Sequence, residues 1–178
     1  LRQTVPAQDF EIVVADDGHD DATRDLVAAL AQAAPAHTLR YLRPASGAGP
    51  AVARNAGWRA ATAPLVAFTD DDTIPVPGWL AAGVLAMALS CCVALAGRVE
   101  VPPASGNPAD PPTDHERMTR GLATAQFVTA NAFVRRAALE RVGGFDERFR
   151  RAWREDSDVQ FRLQRDAGRV GRCEGAVV

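Results

Sequence analysis

Short apolar runs alternate with longer amphipathic stretches along this chain, and the alternation starts within its first fifteen residues. Residues 10–15 carry three adjacent β-branched positions, Ile12, Val13 and Val14, the pattern of a strand buried on both faces. Asp20 or Asp21 then caps a predicted helix whose apolar face is Leu26, Val27, Leu30 and Ala34. A second strand is predicted at 39–42. Gly49-Pro50 opens another helix, with proline at its first position, and Ala63-Pro64 closes it. Residues 65–68 read as a strand, 77–89 as a helix and 92–101 as a strand. A loop rich in Pro, Gly, Ser and Asp follows at 102–112. Beyond it the pattern predicts a strand at 127–134 and a short helix at 136–141, ended by Gly143-Gly144. The segment 153–167 is ambiguous. Val159, Phe161 and Leu163 alternate as in a strand, but the length, the acidic start and Gly168 favour a helix. Residues 1–6 read as the tail of a helix and 177–178 as mid-strand, so both ends look cut. This rhythm predicts an α/β fold, a mostly parallel sheet flanked by helices on both faces.

Composition narrows the picture in only a few respects. The 178 residues are one domain in size, and a net charge of −2 gives no electrostatic pull toward nucleic acid or anionic lipid. All non-histidine cations are arginine, which reads as genome composition. Cys91, Cys92 and Cys173 show no metal-ligand spacing and read as small buried hydrophobes. The absence of a disulfide framework fits a reducing cytoplasm. The longest apolar stretch, 84–97, is shorter than the roughly 20 residues a membrane span needs. Membrane association, at the inner face of the cell membrane, would have to come from segments outside this chain.

The chemistry concentrates where strands end. Ile12-Val13-Val14 runs into Asp16-Asp17, and the strand at 65–68 runs into Asp70-Asp71-Asp72. In open α/β sheets ligands bind beyond the carboxyl ends of strands, so both acidic clusters point toward one crevice. Adjacent carboxylates repel one another by about 1–4 kcal/mol per close pair, and a hard divalent cation removes that cost. Magnesium or manganese takes one or two protein carboxylates and completes its shell with phosphate and water. The plainer reading of each cluster is a solvated acidic turn. A third acidic motif is Trp153-Arg154-Glu155-Asp156. On a helix, Asp156 shares a face with Val159 and Leu163, while Glu155 and Asp158 point toward solvent. The plainer reading of Asp156 is a carboxylate that complements a helix N-terminus.

These residues, taken together, resemble glycosyltransferase family 2. Val14-Ala15-Asp16-Asp17-Gly18 is similar to the family's "VVDDGS", and the segment from Gly49 through Ala53-Arg54-Asn55 to Gly57 to its "GxxxARNxG". Phe68-Thr69-Asp70-Asp71-Asp72, followed by Pro75, Pro77, Trp79 and Leu80, resembles the DxD motif with its trailing proline and "WL". Asn131, Arg135-Arg136 and Gly143-Gly144-Phe145-Asp146 resemble the stretch before the "ED" pair, here Glu155-Asp156. The motifs keep the family's order and span most of the chain. The resemblance implies a Rossmann-like, GT-A-type nucleotide-diphospho-sugar transferase fold. Residues 1–178 would be one catalytic domain, with a nucleotide-binding half at 1–89 and an acceptor and catalytic half at 90–178.

By the same resemblance Asp17 recognises the nucleotide base, Asp71 lies near the ribose and Arg54 near the nucleotide. Asp70 and Asp72 hold Mn2+ or Mg2+, Asp72 more directly, and Asp156 is the catalytic base. The donor implied is a nucleotide-diphosphate sugar, commonly a UDP-sugar, and the acceptor a carbohydrate or a lipid-linked acceptor. The reaction implied is a single in-line displacement that inverts the anomeric carbon. His19 departs from the family's serine, and both the first strand and the "QxxRW" motif of processive members are missing. A catalytically inactive sugar-nucleotide-binding module and a nucleotidyltransferase are the alternative readings. A haloacid dehalogenase-type phosphatase fits less well, because Thr73 falls one residue early and Ile74 occupies the required place.

Overall fold

The computed structural model describes residues 2–45, 49–102, 111 and 113–178. Strand β1 (Glu11–Ala15) leads through α1 (Ala22–Ala33) to β2 (Thr38–Leu42), and the two strands pair in parallel. Helix α2 (Pro50–Ala60) follows, with Pro50 in its first turn, and leads to β3 (Leu65–Thr69) and α3 (Trp79–Leu89). The remaining elements are β4 (Ala94–Arg98), α4 (Asp114–Thr124), β5 (Asn131–Arg135), α5 (Arg136–Val142), α6 (Glu155–Asp166) and β6 (Val170–Val177). The loop expected at 102–112 lies outside the described residues except for Pro102 and Pro111.

The parallel pattern holds for β1–β2 and β4–β6, whereas β5 runs antiparallel to both neighbours in a mixed sheet ordered β3-β5-β4-β6. That reversal matters for the chemistry. It sets Asn131, the first residue of β5, opposite Thr69, the last residue of β3. Helix α6 turns back through 167–169 into β6, which parallels β4. One edge of the sheet therefore gathers the end of β3, the residues just before β5 and the start of α6. Asn131 ties this edge together from a fully buried position. It accepts a bond from Trp79 Nε1 at 2.8 Å and donates to the carbonyls of Arg98 and Ala176 at 2.9 Å each.

Helices cover the mixed sheet on two sides. Val159 and Leu163 of α6 pack with Phe68, Val134, Leu139 and Phe145 in one core. Trp79 and Met87 of α3 pack with Leu95, Phe133 and Cys173 in another. Some expectations fail. Residues 2–6 are not helical; Gln3 instead bonds the Val76 carbonyl and the Leu80 amide. On α1 only Val27 is buried, while Leu26 and Leu30 are exposed, because the two-stranded β1–β2 sheet is too narrow to cover the whole face. Cys91 is exposed although Cys92 and Cys173 are buried. Helix α4, with its charged start Asp-His-Glu-Arg, is not among the elements expected from the sequence pattern.

The turn after α5 holds α2 in place. Gly143 takes the left-handed conformation that ends the helix, and the amide of Gly144 bonds the Leu139 carbonyl. Gly144, at φ 75°, lies so near Asn55 that a Cβ there would meet Oδ1 at 2.4 Å. The buried Asn55 accepts from Phe145 N (2.8 Å) and Trp58 Nε1 (2.9 Å), and donates to Phe145 O and Glu147 Oε1 (both 2.8 Å). Asp146 is used up locally by Arg148, whose hydrogen bond holds its carboxyl down at about 2. Asn55→Ala strands two buried donors and should cost about 3 kcal/mol of stability, read from urea unfolding.

Candidate active site

Asp16 and Asp17, adjacent at the end of β1, have different duties. Asp16 accepts from the Gly18 amide and the Tyr41 hydroxyl, both at 2.8 Å, and from Arg43 at 3.3 Å. These bonds, the Gly18 amide foremost, hold its carboxyl below the ordinary aspartate range. Asp16 is therefore committed to shaping the turn. Asp17 gives one oxygen to the Gly49 amide at 2.8 Å and is otherwise exposed. Gly49, at φ 118°, caps α2 in a conformation that an L side chain rarely adopts.

Helix α2 links the two acidic strand ends. Its cap meets Asp17, and Arg54, one turn further on, meets Asp70 at the end of β3. The Arg54 guanidinium, 15% exposed, bonds Asp70 Oδ1 at 3.0 Å and Glu155 Oε1 at 2.9 Å. It also lies 6.0 Å from the centre of the Phe145 ring. Burial works against its charge, but Asp70, Asp156 and Glu155 more than offset that and raise its pKa. Asp70 begins a turn in which the Thr73 hydroxyl donates to the Asp70 carbonyl at 2.8 Å, and Asp71 and Asp72 sit exposed on it. Among the described residues no three His, Cys, Asp or Glu side chains gather as ready-made metal ligands.

Asp156 lies across this edge, one residue into α6. Thr129, fully buried just ahead of β5, holds both of its oxygens: the hydroxyl donates to Oδ1 at 2.8 Å and the amide to Oδ2 at 3.3 Å. Burial raises the Asp156 pKa, and Arg54 and Thr129 oppose it without cancelling it. The sequence pattern does not single out Thr129, because a threonine at the head of an apolar strand is unremarkable until the register is known. Glu155 corrects the sequence reading. It is 2% exposed rather than facing solvent, and burial raises its pKa despite the ion pair with Arg54. The acids thus form two groups. Asp70 and Asp156 share the Arg54 field with Glu155, while Asp17, Asp71 and Asp72 line the exposed rim.

Two surface cavities lie elsewhere, one at Asp146, Arg148 and Phe149 and one at Thr124, Gln126, Gln160, Gln164 and 170–172. Neither is lined by Asp17, Asp70, Asp71, Asp72, Glu155 or Asp156. No helix among the described residues is long and apolar enough to cross a membrane.

The family model for Glycosyl transferase family 2 matches residues 1–143. Validoxylamine A glucosyltransferase of Streptomyces hygroscopicus subsp. jinggangensis is 31% identical over 195 residues, covering 91% of this chain and 46% of that protein. Glycosyltransferase AglE of Haloferax volcanii is 29% identical over 147 residues, covering 80% of this chain and 48% of that protein. The chain spans about half the length of these curated relatives. Among solved structures, mannosyltransferase PcManGT from Pyrobaculum calidifontis, in complex with GDP-Man and Mn2+, superposes with a TM-score of 0.75 at 26% identity. That match covers 99% of this chain and 49% of the mannosyltransferase. TarS 1-349 of S. aureus gives a TM-score of 0.71 at 18% identity, covering 97% of this chain and 51% of TarS, a likeness of fold.

The electrostatics fix a pH response. With its folded pKa above the unfolded value, Asp156 binds its proton more tightly in the folded chain. Its contribution to stability is greatest at low pH and declines as pH rises from the ordinary aspartate range through the folded pKa. A carboxyl-carbon NMR titration should put the Asp156 midpoint above 3.8, the ordinary aspartate value. Arg54→Gln removes the opposing cation and should move that midpoint higher still.

Proposed function

Because the chain belongs to glycosyltransferase family 2, we propose that its protein moves a sugar from a nucleotide-diphosphate sugar to an acceptor hydroxyl, with inversion and with Asp156 as general base. One observation carries this reading: a half-buried carboxylate gripped by Thr129 stands across the sheet edge from the Asp70 turn, within the field of Arg54. Such a carboxylate is oriented, more basic than an ordinary aspartate, and still ionisable because a cation lies nearby. Those are the properties a proton acceptor needs.

The chain's residues then divide the work. Asp17, beyond β1, hydrogen-bonds the base of the donor nucleotide, and Asp71 reaches its ribose. Arg54 keeps Asp70 in place beside the diphosphate. Each Asp156 oxygen has a lone pair left after bonding Thr129, and one of them takes the acceptor proton. As that proton leaves, the acceptor oxygen bonds the anomeric carbon while the bond to the diphosphate breaks. The nucleoside diphosphate departs with the electron pair from the opposite face, so the configuration inverts and no covalent enzyme intermediate forms. Hydroxyl-bearing carbohydrates or lipid-linked acceptors suit this step.

A divalent cation fits the turn at 70–73 by donor chemistry. Carboxylate oxygens stand exposed at a strand end, and Asp71 and Asp72 lie outside the Arg54 ion pair. Asp72, with Asp70, would hold Mn2+ or Mg2+, and donor phosphates would complete the shell. Bound there, the cation would neutralise charge growing on the leaving diphosphate. PcManGT, which holds GDP-Man and Mn2+, supports both a nucleotide-diphosphate sugar and a divalent cation. UDP-sugars are the first donors to try, with GDP-mannose beside them.

Two variants of the complete protein test the roles. Asp156→Asn keeps the shape but cannot accept a proton, so kcat should fall by about 10²–10⁴-fold. Donor affinity, measured by calorimetry, should hardly change. Loss of donor binding with an unchanged rate per bound donor would move the base elsewhere. Asp72→Asn should weaken metal-dependent donor binding and turnover together, and full activity in excess chelator would refute the metal assignment.

A further inference from the structure

Arg154, immediately before α6, is the only non-glycine among the described residues with a positive φ, at 74°. A residue of this kind pays a steric cost in the left-handed region unless its surroundings hold it there. Its side chain makes no capping bond, and its guanidinium lies 5.7 Å from the centre of the exposed Trp153 ring. What fixes the turn comes next in the chain. Glu155 is 2% exposed, and its carboxylate bonds Arg54 at 2.9 Å. Arg54 is in turn held by Asp70 and lies near the Phe145 ring. The Asp158 amide then closes the first helical bond onto the Arg154 carbonyl at 3.0 Å.

We infer that Glu155 is the positioning residue of the site: its buried pair with Arg54 holds the strained Arg154 turn and so sets where α6 begins and where Asp156 is aimed. The inference rests on Asp156 acting as the base. Glu155 touches no reacting atom in this account and works through its neighbour. The same guanidinium grips the end of β3, so donor turn and base keep a fixed separation through one side chain. An error of about 1 Å in such a placement is costly to the chemistry and nearly invisible to nucleotide affinity, since Asp17 and Asp71 lie on other elements.

The test is Glu155→Gln in the full chain, which keeps the volume and removes the charge. Hydrogen exchange at the Asp158 amide should quicken by about tenfold, while the Ala167 amide, at the other end of α6, stays unchanged. The kcat per folded molecule should fall by about tenfold or more, with the donor dissociation constant within about twofold. A residue that only stabilised the fold would lower the folded fraction and leave kcat per folded molecule intact, and that result would overturn the inference. Unchanged exchange at Asp158 would overturn it equally. Should Glu155→Gln fail to fold, Glu155→Met joined with Arg54→Met removes both charges, keeps an apolar fill, and should show the same loss of protection at Asp158. If the unaltered protein transfers no sugar from any donor, the proposed function fails, and the exchange measurement still decides whether Glu155 holds the turn.

Discussion

The half-buried guanidinium of Arg54 is the constraint on which the site depends. A cation at 15% exposure needs partners, and it finds one carboxylate at the end of β3 and another at the start of α6. Replacing a buried ion pair wholesale can be neutral, but removing one member strands the other at a cost of about 3–5 kcal/mol. Arg54 and Glu155 therefore depend on each other, while the Asp70 side chain, 36% exposed, can fall back on water. Their geometry brings a strand end, a helix beginning and α2 to a common point from positions up to 101 residues apart in sequence.

The rest of the fold serves this junction. Asn55, next to Arg54, locks α2 onto the segment after α5 through three hydrogen bonds and holds Trp58 of its own helix with a fourth. Asn131 ties the start of β5 to the ends of β4 and β6. Both are buried amides with both N–H donors used and the oxygen bonded, which makes them specific as well as stabilising. Motif residues that look catalytic in sequence can thus be structural. Asp16, Asp146 and Asn131 each spend their polar atoms on the backbone or on neighbouring side chains, while Asp17, Asp71 and Asp72 keep free oxygens at the rim.

Much of this is legible in the sequence. The alternation of apolar runs and amphipathic stretches marks most of the strands and helices, because burial imposes periods of two and 3.6 on the chain. The ambiguous segment at 153–167 is a helix from Glu155, as its length and its glycine stop suggest. What the pattern could not carry depends on long-range register. The antiparallel run of β5 brings Thr129 to Asp156, and no local signal encodes strand direction. Glu155 misleads for a related reason. Helical spacing tells which residues share a face, but a charged residue's burial is decided by a partner 101 positions away. Helix α1 errs the other way, since its apolar face outruns the narrow sheet beneath it.

The central claim is a single displacement with Asp156 as base, and its most direct test is stereochemical. The complete protein would be given an α-linked nucleotide-diphosphate sugar, a divalent cation and a hydroxyl acceptor, and the first-formed product followed by proton NMR at the anomeric position. The account predicts a β-linked product from the outset. An α-linked product formed first would contradict it, because retention requires a second displacement or a front-face path in which Asp156 is not the base.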